Sequence, residues 1–167
     1  RFAPDSEVLS SVLENRFELG LTTLRPDDPR LKVSRFCEEP LELVAPSAAA
    51  VNSWQDLERL GFIDHPDGQA MASRLLSRTF PGAPGIRNLP TRGYTNQISL
   101  ILESVARGLG FTVILRFAHI AFGQSERVQV IQSERGVIDT LWLIHRAEWP
   151  LSARAKRVIE QIQPLFV

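Results

Sequence analysis

Polar residues follow predicted strands at three points of the sequence, where they could bind a small ligand. Residues 22–24 end one strand, residues 65–68 join a strand to a helix, and residues 95–96 precede another helix. Ligands of open α/β sheets bind outside the carboxyl ends of the strands, and the N–H groups of helix N-termini favour anions. We therefore predict ligand contacts at Thr22, Thr23, Leu24, His65, Pro66, Asp67, Gly68, Thr95 and Asn96.

Each of these positions also has a purely structural interpretation, which the sequence leaves open. Threonine packs well in strands, so Thr22 and Thr23 could be ordinary sheet residues. Thr95 and Asn96 are good helix N-caps whether or not a ligand binds. His65, beside a proline, could be a simple loop residue.

The motifs of common enzyme and metal-binding classes are missing from the sequence. There is no G-x-G-x-x-G, G-x-x-x-x-G-K-(S/T), G-x-S-x-G or H-E-x-x-H pattern. His65, His119 and His145 are too widely spaced to suggest a metal site, and the lone Cys37 adds no ligand pair. We therefore predict no catalytic residue, no metal site and no cofactor, and we expect Cys37 to pack as a small hydrophobe.

Helical and strand patterns alternate along the chain and determine where the polar residues lie. Apolar spacing predicts helices at 5–17, 53–60, 68–80, 95–107, 117–122 and 152–166, and strands at 19–24, 32–36, 41–45, 62–64, 86–89, 111–115, 128–131 and 140–144. The predicted N-caps are Asp5 or Ser6, Ser53 in a capping box with Asp56, Thr95 or Asn96, and Ser152. This alternation predicts an α/β fold with largely parallel sheets.

Composition indicates a globular chain without a strong charge bias. The chain has 167 residues, 44% of them hydrophobic, and its formal net charge is zero. Nucleic-acid-binding domains usually carry a basic excess, so this chain alone is not expected to bind DNA. One cysteine excludes an internal disulfide, which fits the cytoplasm, and no apolar run approaches the roughly 20 residues of a membrane span.

Five motifs follow one another along nearly the whole chain. They are ELGLTTLRPDDPRL with FCEEPLELVAP (from residues 18 and 36), SWQDLE (53), GFIDHP (61), TNQISLILESVARGLGFTVIL (95) and LIHRAEWPLSARA (143). In this order they resemble the effector-binding domain of LysR-type transcriptional regulators. Arg116 departs from the pattern, because a proline is usual at that position in the family.

The resemblance implies a fold like that of type 2 periplasmic binding proteins, with two Rossmann-like lobes, a hinge and a small molecule bound between them. Lobe I would comprise residues 1–46 and 128–167, and lobe II residues 47–127. The family's first strand and helix would precede residue 1, so lobe I is expected to be incomplete. The nine positions named above are the effector contacts that the resemblance suggests.

The resemblance also implies which partners the protein would bind. They are a small-molecule effector, with organic acids as the suggested class, and further copies of the chain in a homodimer or tetramer formed by lobe pairing. DNA would be bound only through an N-terminal winged helix-turn-helix that this sequence lacks, and no membrane is expected. A periplasmic-type solute-binding receptor is the main alternative function, and a small transferase built on related lobes is a third.

Overall fold

The computed structural model describes residues 3–166 and contains two compact units. The central unit is Pro40–Val137, and the terminal unit is Ala3–Glu39 together with the residues from Ile138 onward. The chain thus passes from one unit to the other at 39/40 and at 137/138, whereas the predicted lobe boundaries are 46/47 and 127/128. The assignment to lobes stays a prediction, and residues 1, 2 and 167 of predicted lobe I lie outside the described residues.

Helices and strands alternate over the described residues, and the predicted α/β class is confirmed. The helices are α1 (Asp5–Leu13), α2 (Trp54–Leu60), α3 (Gly68–Thr79), α4 (Ile98–Ala106), α5 (Arg116–Ile120) and α6 (Ala153–Ile162). The strands are β1 (Gly20–Thr22), β2 (Leu31–Pro46), β3 (Phe62–Asp64), β4 (Thr91–Tyr94), β5 (Thr112–Leu115), β6 (Val128–Ile131) and β7 (Ile138–Arg146). No helix in this part of the chain is both long and apolar enough to span a bilayer.

In the terminal unit, α1 packs against a sheet in which β1 pairs with β7. This pairing is antiparallel and places Thr22 opposite Trp142. Val12 of α1 is fully buried and forms a small core with Leu31 and Ile144. A side chain at Gly20 would collide with α1, because a Cβ there would lie 2.6 Å from Val8. Gly20 therefore permits the helix to lie directly on β1.

The core of the central unit lies on both faces of the strands around β5. The second half of β2 pairs antiparallel with β5 and with β6. Strand β3 pairs parallel with β4, and Phe62 forms a parallel bridge with Phe111 just before β5. Helix α3 buries Met71, Leu75 and Leu76 in one cluster, and α4 buries Ile101, Leu102 and Val105 in another.

The expectation of largely parallel sheets is wrong for the ladders of β2 and β7. The strands that follow helices keep the parallel direction of βαβ units, as β3 and β4 do. Strand β2, which contains the 39/40 boundary, runs in the opposite direction to β5 and β6 and pairs with both of them antiparallel.

Two predicted strands are corrected by the structure. The expected break at 37–40 does not exist, since β2 runs on through Pro40. Proline is tolerated there because the ladder with β5 begins only at the next residue, and Leu41 N–H donates to the Val137 carbonyl at 2.8 Å. The predicted strand at 86–89 is instead a 3₁₀ turn, Ile86–Asn88, followed by β4. Ile86 and Leu89 are both buried and three residues apart, which suits such a turn.

Helix ends were predicted with mixed success. The capping box of α2 is confirmed, with Ser53 N–H and Oγ donating to Asp56 Oδ2 at 2.9 and 2.8 Å, and so is Ser152, whose Oγ accepts from Ala155 N–H at 3.1 Å. The predicted N-caps of two other helices, α1 and α4, are wrong. Pro4 precedes α1, with Asp5 as the first helical residue, and Gln97 precedes α4, two residues after Thr95 and one after Asn96.

Candidate functional site

The loop after β1 contains three of the predicted ligand contacts, all in the terminal unit. Thr22 is buried, and its Oγ1 donates a hydrogen bond to the Leu24 carbonyl at 2.9 Å. This bond closes the loop on itself and fixes the direction of the two intervening N–H groups. Leu24 is 69% exposed, so the loop reaches solvent immediately after the buried strand.

A carboxylate lies in this loop, and it comes from α1. Asp5 Oδ2 accepts hydrogen bonds from Thr23 N–H at 2.9 Å, from Thr23 Oγ1 at 2.9 Å and from Leu24 N–H at 2.8 Å. Three donors thus make short, charge-assisted hydrogen bonds to one carboxylate oxygen, as in a site that binds an anion. We call Thr23 N–H, Thr23 Oγ1 and Leu24 N–H the carboxylate cradle. We predicted ligand contacts in this loop from the sequence, but we predicted Asp5 only as a helix cap.

Arg25 follows the cradle directly in the sequence. The guanidinium carbon of Arg25 is 5.5 Å from the ring centroid of Trp142, a cation–π contact that holds the side chain against β7. Trp142 is paired with Thr22 across the ladder, so the same two strands position the cradle and the arginine. Neither Arg25 nor Asp5 was predicted as a functional residue. The sequence does not show that Arg25 contacts Trp142, or that Asp5 meets a loop 18 residues later.

The loop between β3 and α3 contains four further predicted contacts, now in the central unit. Asp64 Oδ1 accepts from His65 N–H at 2.8 Å, and Asp67 has a left-handed φ of 63°. A Cβ at Gly68 would lie 2.7 Å from Asp64 Oδ1, so a larger residue there would displace the Asp64 carboxylate. The N–H of Gly68, at the N-terminus of α3, is used within the loop, because it donates to the His65 carbonyl at 2.9 Å.

The ring of His65 is buried, with 2% of the residue exposed. Its Nε2 lies 2.8 Å from the Val113 carbonyl oxygen, and its Nδ1 lies 2.8 Å from that of Pro66. Carbonyl oxygens only accept, so a neutral ring can donate to one of them and an imidazolium to both. In this arrangement His65 fixes the loop to β5.

Thr95 lies next to this loop, and Asn96 follows it on the surface. Thr95 N–H donates to the Asp64 carbonyl at 3.1 Å, and Tyr94 pairs with Asp64 in the parallel ladder. Asn96 is exposed. The structure therefore brings together the predicted contacts of the central unit at the carboxyl ends of β3 and β4, as expected for parallel neighbours.

Cys37 and His119 lie outside the two loops. Burial, with a contribution from Glu39, raises the pKa of the Cys37 thiol to about 11, so the reactive thiolate is scarce at neutral pH. His119 Nδ1 lies 3.0 Å from Glu42 Oε2, a contact between α5 and β2. Among residues 3–166, no cluster of three or more His, Cys, Asp or Glu side chains could hold a metal ion.

Comparison with known proteins identifies a family and a fold. The model of the LysR substrate binding domain matches residues 1–166. No curated protein matches the chain. Among solved structures, the regulatory domain of CcmR from Synechocystis PCC6803 in complex with 2-PG is similar at a TM-score of 0.69 and 14% identity, over 98% of this chain and 80% of that one.

Two other solved structures contain named effectors. The effector-binding domain of QuiR in complex with shikimate gives a TM-score of 0.66 and 13% identity, over 96% of this chain and 77% of that one. Full-length LysG from Corynebacterium glutamicum with bound effector Arg gives 0.66 and 14%, over 98% and 55%. At these identities the likeness shows the fold, which is that of LysR regulatory domains and is like that of type 2 periplasmic binding proteins.

Proposed function

The chain belongs to the LysR substrate binding domain family, whose role is effector sensing in transcription regulation, and we propose that its effector is a small organic acid. The observation that carries this proposal is the carboxylate cradle, in which three donors surround the Asp5 carboxylate oxygen at 2.8–2.9 Å. Shikimate and arginine, named with the QuiR and LysG structures, both carry a carboxylate group. The family match also favours a regulator over the alternative of a solute receptor.

We propose distinct roles for the predicted contacts. Thr23 and Leu24 donate to the effector carboxylate, and Thr22 positions them through its bond to the Leu24 carbonyl. In the central unit, Pro66, Asp67, Gly68, Thr95 and Asn96 are proposed as further effector contacts, with His65 positioning their loop from its buried place against Val113.

The proposed domain acts by binding and not by turnover. A bound effector shifts the equilibrium between conformations of the regulator only by as much as its affinity for them differs. The conformational signal would pass through a homodimer or tetramer to winged helix-turn-helix domains on DNA, in the cytoplasm. The proposed pairing packs α1 of one copy against α4 of another, and Leu100, which is 48% exposed on α4, supports that surface.

A calorimetric titration tests the proposal. Shikimate, arginine and short dicarboxylic acids form the panel, and the matching amides, which lack the negative charge, are the controls. We expect at least one acid to bind and its amide not to bind. Thr22→Val, which keeps the shape of the side chain, should weaken that binding about fivefold to tenfold by releasing the loop, at a stability cost of about 1 kcal/mol. Asn96→Ala should weaken it without a measurable change in stability, because the side chain is exposed.

Two results would contradict the proposal. If acids and amides bind with the same affinity, the effector is not recognised as an anion. If both variants bind the acid as the parent chain does, the site assignment is wrong even though an effector binds.

A further inference from the structure

The carboxylate cradle is already filled by the chain's own acid. All three donors point at Oδ2 of Asp5, which is the first residue of α1 and lies 18 positions before Thr23 in the sequence. An effector carboxylate bound to the same donors would have to occupy the position of this oxygen. Two ionised carboxylates at one position repel each other strongly, so only one of them can bind at a time.

Replacement of the Asp5 carboxylate by an effector carboxylate would leave most of the terminal unit in place. Helix α1 is anchored two turns after Asp5, where Val12 is fully buried against Leu31 and Ile144. At the start of the helix, the N–H groups of Glu7 and Val8 donate to the Pro4 carbonyl at 2.9 and 3.1 Å, and the Val8 side chain packs against the same core. Loss of the three Asp5 contacts therefore loosens the residues before Val8 and not the whole helix.

We propose that Asp5 is a tethered competitor of the effector: an effector carboxylate binds the cradle only when the Asp5 carboxylate leaves it, and this exchange loosens the start of α1, before Val8. The inference rests on the proposed function, since it specifies how that site is regulated. Two consequences follow. The tether gives Asp5 a high effective concentration at the cradle, which sets a lower limit on the effector concentration that the domain can sense. The exchange also turns occupancy into a local structural change on α1, the helix proposed above to face a second copy.

The test uses acetate as the probe, which carries one carboxylate and little else. The full chain and its Asp5→Ala variant are titrated with sodium acetate at constant ionic strength, and the amide signals of Thr23 and Leu24 are followed by NMR. We expect acetate to bind at least about tenfold more tightly to Asp5→Ala, because the tethered carboxylate is gone. Asp5→Asn keeps the size of the side chain but not its charge, and is expected to lie between the two.

The matched control removes a carboxylate with the same kind of contacts elsewhere in the terminal unit. Glu18 accepts from Ser152 N–H at 2.6 Å and from Ser152 Oγ at 2.9 Å, at the beginning of α6. Glu18→Ala should leave the acetate titration of Thr23 and Leu24 as in the parent chain. A second measurement follows the loosening at the start of α1. Addition of acetate to the parent chain should speed the hydrogen exchange of the Glu7 and Val8 amides.

The outcomes separate the inference from the proposed function. Equal acetate affinity in the parent chain and in both Asp5 variants would overturn the inference that Asp5 competes with the effector, while leaving the cradle as the proposed effector site. If acetate shifts the amide signal of neither Thr23 nor Leu24 in any variant, the inference about Asp5 is wrong. The proposed function is then tested only by the calorimetric titration with the panel of acids. If Asp5→Ala loses its native amide dispersion, Asp5→Asn decides the question, with an affinity equal to that of the parent chain counting against the inference.

Discussion

Gly110 provides a sharp test of how the central unit positions the Asp64–His65 loop. It is buried immediately before Phe111, where the chain passes close to β3. Phe111 N–H donates to the Gly61 carbonyl at 2.9 Å, and Ile63 N–H donates to the Phe111 carbonyl at 2.8 Å. These two bonds fix Gly61 and Ile63 and so hold β3 in place, and the loop begins at the carboxyl end of this strand.

Gly110→Ala should disrupt this contact. The new Cβ would lie 2.6 Å from the Gly61 carbonyl oxygen and 3.1 Å from the Ile63 side chain. A carbon and a carbonyl oxygen normally approach no closer than about 3.3 Å, so the two segments must separate by about 0.7 Å. Overpacking costs about 1–3 kcal/mol, and each of two weakened hydrogen bonds adds about 0.5–1 kcal/mol. We expect the free energy of unfolding to fall by about 2–5 kcal/mol.

Urea denaturation followed by circular dichroism measures this change, and Gly136→Ala is the matched control. A Cβ at Gly136 meets no atom within 4 Å, so that substitution should change the stability by less than about 0.5 kcal/mol. If Gly110→Ala is as stable as Gly136→Ala, the close approach to β3 does not constrain the fold, and the account of how the loop is positioned is wrong.

Three further predictions concern side chains whose environments the structure defines. The backbone hydrogen bond from Asn52 and the contacts from Ser53 and Arg59 lower the pKa of Asp56 from 3.8 to about 2. Its contribution to stability should therefore be complete above about pH 4 and lost as the pH falls towards 2, so the difference between the parent chain and Asp56→Asn in urea should shrink over that range and not at neutral pH. Cys37, with its raised pKa of about 11, should react with iodoacetamide at pH 7 far more slowly than free cysteine, and faster alkylation in the folded chain would contradict this account of its burial. His65→Ala should lower the free energy of unfolding by about 2–3 kcal/mol through lost hydrogen bonds and a cavity; a stability loss below about 0.5 kcal/mol would show that the ring does not hold the loop.

Features carried by local sequence were predicted well. Ser53 with Asp56 and Ser152 were placed correctly as caps because a cap depends on residues three positions apart. The helix at 68–80 was predicted from apolar spacing, which places Met71, Leu75 and Leu76 on one side of α3, where the structure buries them. Motif order along the chain predicted the LysR family, which the family match confirms.

Features that depend on distant partners were missed. Strand β4 has largely exposed side chains and so no alternating apolar signal, and its place next to β3 comes from tertiary pairing. The continuity of β2 through Pro40 depends on where its partner strands begin, which local propensity cannot show.

The sequence by itself determined that this chain is an α/β domain of the LysR family, with polar groups at the ends of particular strands. Periodicity, capping and motif order are properties of residues close together in the chain, so they can be read without coordinates. Only the tertiary structure decided that Asp5 lies in the loop formed by Thr23 and Leu24 and that His65 bonds to Val113. Hydrogen bonds act over about 3 Å of space, whereas these partners are 18 and 48 residues apart in the chain, and only folding brings them within that distance.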